Sequence, residues 1–208
     1  LDGIPLALEL AAAKIRTVAL AEILRRLRDR FHLLRGGGVG TREHHQTLHA
    51  TIQWSHDHLS PPEAVLFRRL AVFSGGFTLE AVEAVCSGLG LDEHDVLELL
   101  TGLVDKSLVV FDPVECRYRL LETIRALSTE HLCAADESIP VAAKHQAFFL
   151  RFARDAQEHL GTEDESGWLD RLETEHDNLR AALRHDESAD GPERALDLAG
   201  TLIPFWET

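Results

Sequence analysis

The sequence predicts a mainly α fold: a helical segment, then a winged-helix domain with one β-hairpin, then helices that pair as hairpins. Three observations carry this. Apolar residues recur at helical spacing along most of the 208 residues. One pair of short strand-like runs, joined by a turn, follows a series of short helices. Beyond residue 140 three more amphipathic patterns follow, each with a single apolar face.

The first helix starts at Gly3-Ile4-Pro5, where glycine frees the chain and proline suits the first helical position, and it carries Leu8, Ala12 and Ile15 on one face. A second helix aligns Leu20, Leu24, Leu27, Phe31 and Leu34 and stops at the breaker Gly36-Gly37-Gly38-Val39-Gly40. Residues 1–40 thus form a small helical segment. A helix through Leu48, Ile52 and Trp54 opens the next domain, 41–135, and Ser60-Pro61-Pro62-Glu63 has the S-x-x-E pattern of a capping box. The helix after it buries Leu66, Leu70 and Phe73. Another starts near Thr78, and one near Asp92 carries the stripe Val96, Leu99, Leu100, Leu103 and Val104.

Ser107 to Phe111 is rich in β-formers, and Arg117-Tyr118-Arg119-Leu120 alternates polar with apolar, so the two predict a hairpin turning at Asp112-Pro113-Val114-Glu115. Short helices followed by one hairpin is the order of a winged helix, with the Asp92–Asp105 helix in the reading position. Helix resumes at Glu122 and runs towards Cys133, and Ala134 to Pro140 reads as a linker. Residues 141–208 then show Phe149, Phe152, Ala153, Ala156, Leu160; Trp168, Leu172, Leu179, Leu183; and Ala195, Ala199, Leu202, Trp206. A helical array needs about three or more repeats to close its core, so the C-terminus reads as unfinished. A helix opening at once, in a chain with no Met, reads likewise as a start within a longer protein.

With 45% hydrophobic and 27% charged residues, the chain can bury a sizeable core. No apolar run approaches the roughly 20 residues that span a bilayer, and no basic leader precedes an apolar stretch, so a cytoplasmic protein without a membrane partner is expected. Cys86, Cys116 and Cys133 are odd in number and lack C-x-x-C spacing, which argues for reduced thiols. The formal net charge is -14, although residues 1–40 carry Lys14, Arg16, Arg25, Arg26, Arg28, Arg30 and Arg35 against Asp2, Glu9, Glu22 and Asp29. An acidic remainder disfavours phosphate backbones.

No motif marks catalysis. Gly36 to Arg42 lacks the Lys and Ser/Thr of a Walker A loop and follows a helix, so it reads as a joint. His44, His45, His49, His56 and His58 cluster, but H-Q-T-L-H has no Glu for a general base and no third ligand at fixed spacing, so these read as polar or capping residues and no metal is expected. The reading helix carries Asp92, Glu93, Asp95, Glu98 and Asp105, with Lys106 at its end. Direct DNA binding is therefore not expected.

Several blocks together resemble bacterial LuxR/AfsR-like STAND (NB-ARC-related) signalling ATPase regulators. These are Leu1 to Leu10, His45-Gln46-Thr47-Leu48, Thr51-Ile52-Gln53-Trp54-Ser55, Leu70 to Leu79, Leu103 to Val109 and Tyr118 to Thr123. Trp168 to Glu173 and Glu175 to Arg180 resemble the start of that family's tetratricopeptide-like repeats. The resemblance implies an ATPase core upstream, followed by the small helical domain, the winged helix and a repeat sensor. It implies that Pro5, with Gly3 shaping the turn, contacts the nucleotide. Related ATPases often end the winged helix in Met-His-Asp; Leu120-Leu121-Glu122 stand there instead, and the leucine side chain has no donor for a phosphate.

The expected function is thus a regulatory fragment of a transcriptional regulator switched by ATP or ADP, relaying a signal through the winged helix and repeats. ATP or ADP would belong to the parent protein and neither to this chain alone. The expected partners are the upstream nucleotide-binding domain and, at the repeats, a protein or small-molecule signal. The chain lacks Walker A and B motifs, so it is not expected to be an enzyme. The alternatives are a DNA-binding winged-helix module and a protein-interaction scaffold without nucleotide dependence.

Overall fold

The computed structural model describes residues 55–185 and 191–206. Helix α1, Pro61–Arg69, starts as the S-x-x-E pattern predicts: the Glu63 carboxylate accepts from the Ser60 backbone N–H and hydroxyl, each at 2.8 Å. A 3₁₀ turn, Leu70–Val72, leads through Gly75, whose φ of +81° only glycine takes without strain, into strand β1, Gly76–Phe77. Helix α2, Leu79–Cys86, is capped by the Thr78 hydroxyl, which accepts from Ala81 N–H at 3.2 Å. A 3₁₀ turn, Glu93–Asp95, precedes α3, Val96–Asp105. Leu66, Phe67, Leu70, Phe73, Val82, Val85, Val96, Leu100 and Leu103 are buried and close the core among these helices. Each such side chain contributes about 1.5–3 kcal/mol.

The expected hairpin forms, but from shorter strands: β2 is Val110–Asp112 and β3 is Arg117–Arg119. Ser107 takes φ 58°, and the Leu108 and Val109 N–H groups donate to Leu103 O at 3.0 and 3.3 Å, so 107–109 complete the end of α3 and do not pair as strand. The sheet has a third strand that the sequence did not announce. Its order is β1-β3-β2, all antiparallel, with Phe77 opposite Tyr118 and Tyr118 opposite Phe111. Ring centroids lie 6.2 and 4.8 Å apart along that aromatic row, so the cross-strand pairs hold a very short sheet together. In the wing turn, Asp112 Oδ1 accepts from Val114 N–H at 2.9 Å and Glu115 N–H at 3.2 Å.

Helix α4, Glu122–Ala134, is followed by α5, Ser138–His159. The expected linker therefore shrinks to 135–137, because Pro140 sits in the first turn of α5, where its missing N–H would have no partner anyway. The pattern from Trp168 to Leu183 splits at Glu175 into α6, Glu165–Thr174, and α7, His176–Leu183. The last helix is α8, Gly191–Trp206. Helix α5 is the spine of this half, touching α6, α7 and α8 and, on the other side, α2 and the Leu70–Val72 turn. Phe149, Leu150, Ala153, Ala156, Leu172, Leu179, Ala182, Leu198 and Leu202 are buried around it.

Ser60–Leu120 and Arg125–Thr208 make one compact unit. In a second unit, the described residues are 55–59 and Leu121–Ile124; Ile124 is buried there, and His56 Nδ1 lies 3.6 Å from the Asp57 carboxylate. The predicted helices over 1–40 and the Leu48–Trp54 pattern lie outside the described residues.

Candidate functional site

Helix α3 buries Val96, Leu100 and Leu103, so its spacing turns Leu97, Glu98, Thr101 and Asp105 outward. Ahead of it Asp92, Glu93 and Asp95 are exposed too, and Asp92 Oδ1 accepts from His94 N–H at 3.0 Å. Lys106, at the end of α3, is ion-paired with Glu63 of α1. Gly102 permits that pairing: a Cβ there would lie 2.6 Å from Glu63 Oε1. Burial works to raise the Glu63 pKa, but Lys106 and the two Ser60 donors outweigh it and hold the carboxylate ionised. The outward face of α3 thus carries Glu98 and Asp105, and the turn before it exposes Asp92, Glu93 and Asp95.

The other notable geometry is the seam between 60–120 and α5–α7. Asn178, buried on α7, grips both sides of the turn before β1: Ser74 N–H donates to its Oδ1 at 2.8 Å, and its Nδ2 donates to Gly76 O at 2.8 Å. The same Nδ2 donates to Glu175 Oε2 at 2.7 Å, and the other Glu175 oxygen pairs with Arg117 of β3. His145 of α5 places Nε2 3.5 Å from Asn178 Oδ1 and packs against Phe73 and Phe149. Gln146 donates to Ala182 O and His185 O at 3.2 and 3.0 Å, closing the end of α7.

A second clamp sits at the start of α5. Glu137 receives Arg68 through two hydrogen bonds of 2.9 Å and Arg69 at 3.0 and 3.1 Å. Arg69, 1% exposed, also donates to Cys86 O and Gly88 O, each at 2.7 Å, and to Leu89 O at 3.1 Å. Nearby, Lys144 Nζ donates to Ser87 O at 2.5 Å. Buried polar networks of this kind, hydrogen-bonded across the seam, favour one arrangement of their parts.

Two titrations follow. Hydrogen bonds from Arg69, then from Arg68, hold the Glu137 pKa down at about 2 against a burial effect that raises it. Burial pushes His145 down to about 4, with Asn178 opposing. For His145 the unfolded chain takes the proton first as pH falls, so stability is present at pH 7 and is lost between 6.5 and about 4. The loss is on the order of 3 kcal/mol. For Glu137, stability is present above 4.5 and is lost as pH falls towards about 2. Urea unfolding at pH 7, 5 and 4 checks this: His145→Gln is expected to flatten the upper window, and an unchanged slope in that variant would refute the assignment.

The winged helix-turn-helix domain family matches residues 59–133. Within that span lie α1, β1, α2, α3, β2 and β3, then α4 up to its last turn, with the three-stranded sheet β1-β3-β2.

Residues 59–133 are a winged helix-turn-helix domain.

The chain around this winged helix is similar to proteins named as regulators. It is 46% identical over 208 residues, 99% of its own length, to "Putative HTH-type transcriptional regulator Rv0890c" of Mycobacterium tuberculosis, with the same identity to a counterpart in Mycobacterium bovis. It is also 43% identical over 149 residues, 70% of this chain and 38% of the relative, to an uncharacterized protein of Mycobacterium tuberculosis. The chain spans 23% of the length of the HTH-type relatives. No solved structure matches it.

The predicted nucleotide contacts Gly3 and Pro5 lie outside the described residues, as do His44, His45 and His49. Among the described residues no cluster of three His, Cys, Asp or Glu side chains could hold a metal ion, and no helix is long and apolar enough to cross a membrane. The expected Asp92–Asp105 helix divides: Glu93–Asp95 is a 3₁₀ turn, and the α-helix begins at Val96 and ends at Asp105 as expected. The seam residues Arg68, Arg69, Arg117, Glu137, His145 and Asn178 were not singled out as partners from the sequence. The basic pair Arg68-Arg69 at the end of α1 and an Asn on the apolar stripe of α7 are the signals the sequence offers.

Proposed function

We propose that this chain is a regulatory segment of a transcriptional regulator, in which the winged helix relays state between protein surfaces and does not read DNA. The carrying observation is the acidic surface of α3 and of the turn before it: Glu98 and Asp105 are exposed on the helix, as Leu97 is, Asp92, Glu93 and Asp95 are exposed ahead of it, and Lys106 is ion-paired with Glu63. DNA binding draws its affinity from cations that displace counterions at phosphates. A helix with this face repels the backbone it would have to approach. The seam to α5–α7 supports the relay, since a signal received by those helices has a rigid polar path to β1 and β3. A protein partner with a basic surface suits α3.

That the relay is set by ATP or ADP held in an upstream nucleotide-binding domain belongs to the same proposal, and rests on the resemblance of Leu1 to Leu10. Repeats of tetratricopeptide type over 141–208, resting on the resemblance of Trp168 to Glu173 and Glu175 to Arg180, and a cytoplasmic setting belong to the proposal too. The second reading, a DNA-binding module, is favoured by the family match and by the exposed Arg119 on β3. Fluorescence anisotropy of a labelled duplex, titrated with the full chain at about 50 and about 200 mM salt, separates them. The relay reading expects no saturable binding at micromolar protein at either salt. Affinity that falls steeply between the two would establish the second reading.

A further inference from the structure

A cavity of about 350 Å³ opens between the wing, the start of α2 and the helices α5 and α6. This is within the size range of small-molecule sites. We propose that it binds a small zwitterion bearing an aromatic ring, an aromatic α-amino acid. The inference deepens the relay reading by naming the chemistry of a signal at the seam, and rests on that reading for its regulatory consequence alone.

The lining divides into three kinds of group. Phe148 and Phe152, one turn apart on α5, supply aromatic walls against which a flat ring packs by offset or edge contact. Arg171 supplies a positioned cation: its guanidinium lies 3.9 Å from the Trp168 ring centroid and 5.4 Å from that of Phe152, and it makes no ion pair among the described residues. Arg117 adds a second guanidinium, whose Nη1 is held by Glu175 and whose buried Nη2 has no hydrogen-bond partner. A buried donor left in that state is costly, and a carboxylate is the group that would satisfy it best.

Glu80 and Glu115 are the third kind. Both line the cavity, both are exposed, and neither side chain is tied into an ion pair among the described residues. A simple aromatic acid would satisfy Arg171 while being repelled by these two carboxylates. A simple aromatic amine would meet the reverse. A ligand carrying a carboxylate and an ammonium on one carbon, with a ring one methylene away, satisfies the guanidiniums, the carboxylates and the phenylalanine walls together.

Isothermal titration of the full chain with L-phenylalanine tests the assignment against two probes that each lack one charge, 3-phenylpropanoate and phenethylamine. L-phenylalanine is expected to bind saturably and each truncated probe about tenfold or more weakly, a difference worth about 1.4 kcal/mol. Arg171→Gln and Glu115→Gln change exposed side chains, and each is expected to weaken L-phenylalanine by a similar factor with an unchanged circular-dichroism melt. No saturable heat with L-phenylalanine, equal affinity for either truncated probe, or unchanged affinity in a folded variant would overturn the proposal. A chain that takes up L-phenylalanine and also binds duplex DNA keeps this site and loses the relay reading. A chain that does neither keeps the relay and loses the site.

Discussion

Arg69→Ala is expected to destabilise the chain by about 3–5 kcal/mol, the range seen when one partner of a buried ion pair is removed. The guanidinium is 1% exposed and is distributed over one carboxylate and three backbone carbonyls, so no water stands ready to replace it. Deleting it strips Cys86 O and Gly88 O of this donor and leaves Glu137 to Arg68 alone. Arg69→Lys is expected to recover little, because an ammonium cannot present the planar fork that reaches Glu137 and the 86–89 carbonyls together. Arg154→Ala serves as the control. Its pair with Asp197 is half exposed, at 57% and 45%, and such pairs contribute about 0–1 kcal/mol. Urea unfolding followed by circular dichroism at pH 7 measures all three. An Arg69→Ala loss no larger than that of Arg154→Ala would contradict the clamp.

The second large effect is at Asn178. Asn178→Ala removes the acceptor for Ser74 N–H and the donor to Gly76 O and Glu175, and it is expected to cost about 2–4 kcal/mol. Its particular mark is local: β1 has two residues and leans on this amide, so the Ser74–Phe77 N–H groups should lose exchange protection before those of α1. Asn178→Asp keeps the shape and removes the donor. It also sets a carboxylate beside Glu175, so it is expected to be no more stable than the alanine variant.

The helices of the winged helix were legible because their signals are local. Ser60 and Glu63 announce the start of α1, Thr78 the start of α2, and the Val96, Leu100 and Leu103 stripe sets the buried face of α3 and thereby its acidic outward face. Strand β1 was not legible, since Gly76-Phe77 is too short for any alternation and exists through its pairing with β3. The linker reading Ala134–Pro140 is four residues too long, three of them because a proline reads as a breaker, whereas Pro140 falls in the one turn of a helix that tolerates it. Trp168 to Leu183 kept one apolar period across Glu175, which hid the break between α6 and α7.

The seam was the part least open to a sequence reading. Arg117 meets Glu175 across 58 positions, Arg69 meets Glu137 across 68, and Asn178 reaches Ser74 across 104. Periodicity and capping patterns work within one or two helical turns and carry nothing about such pairings. The tertiary-level clue was chemical: an Arg and an Asn on faces otherwise buried with Leu and Phe need partners somewhere in the fold.

Native-state amide hydrogen exchange on the full chain tests the central claim, that the winged helix and α5–α7 move as one body through Asn178, Glu175 and Glu137. The account predicts that the slowest amides of α1 and α3 and those of α5 open with the same free energy in wild type and separate in Asn178→Ala. Winged-helix amides that open independently of α5 in the wild-type chain would contradict it.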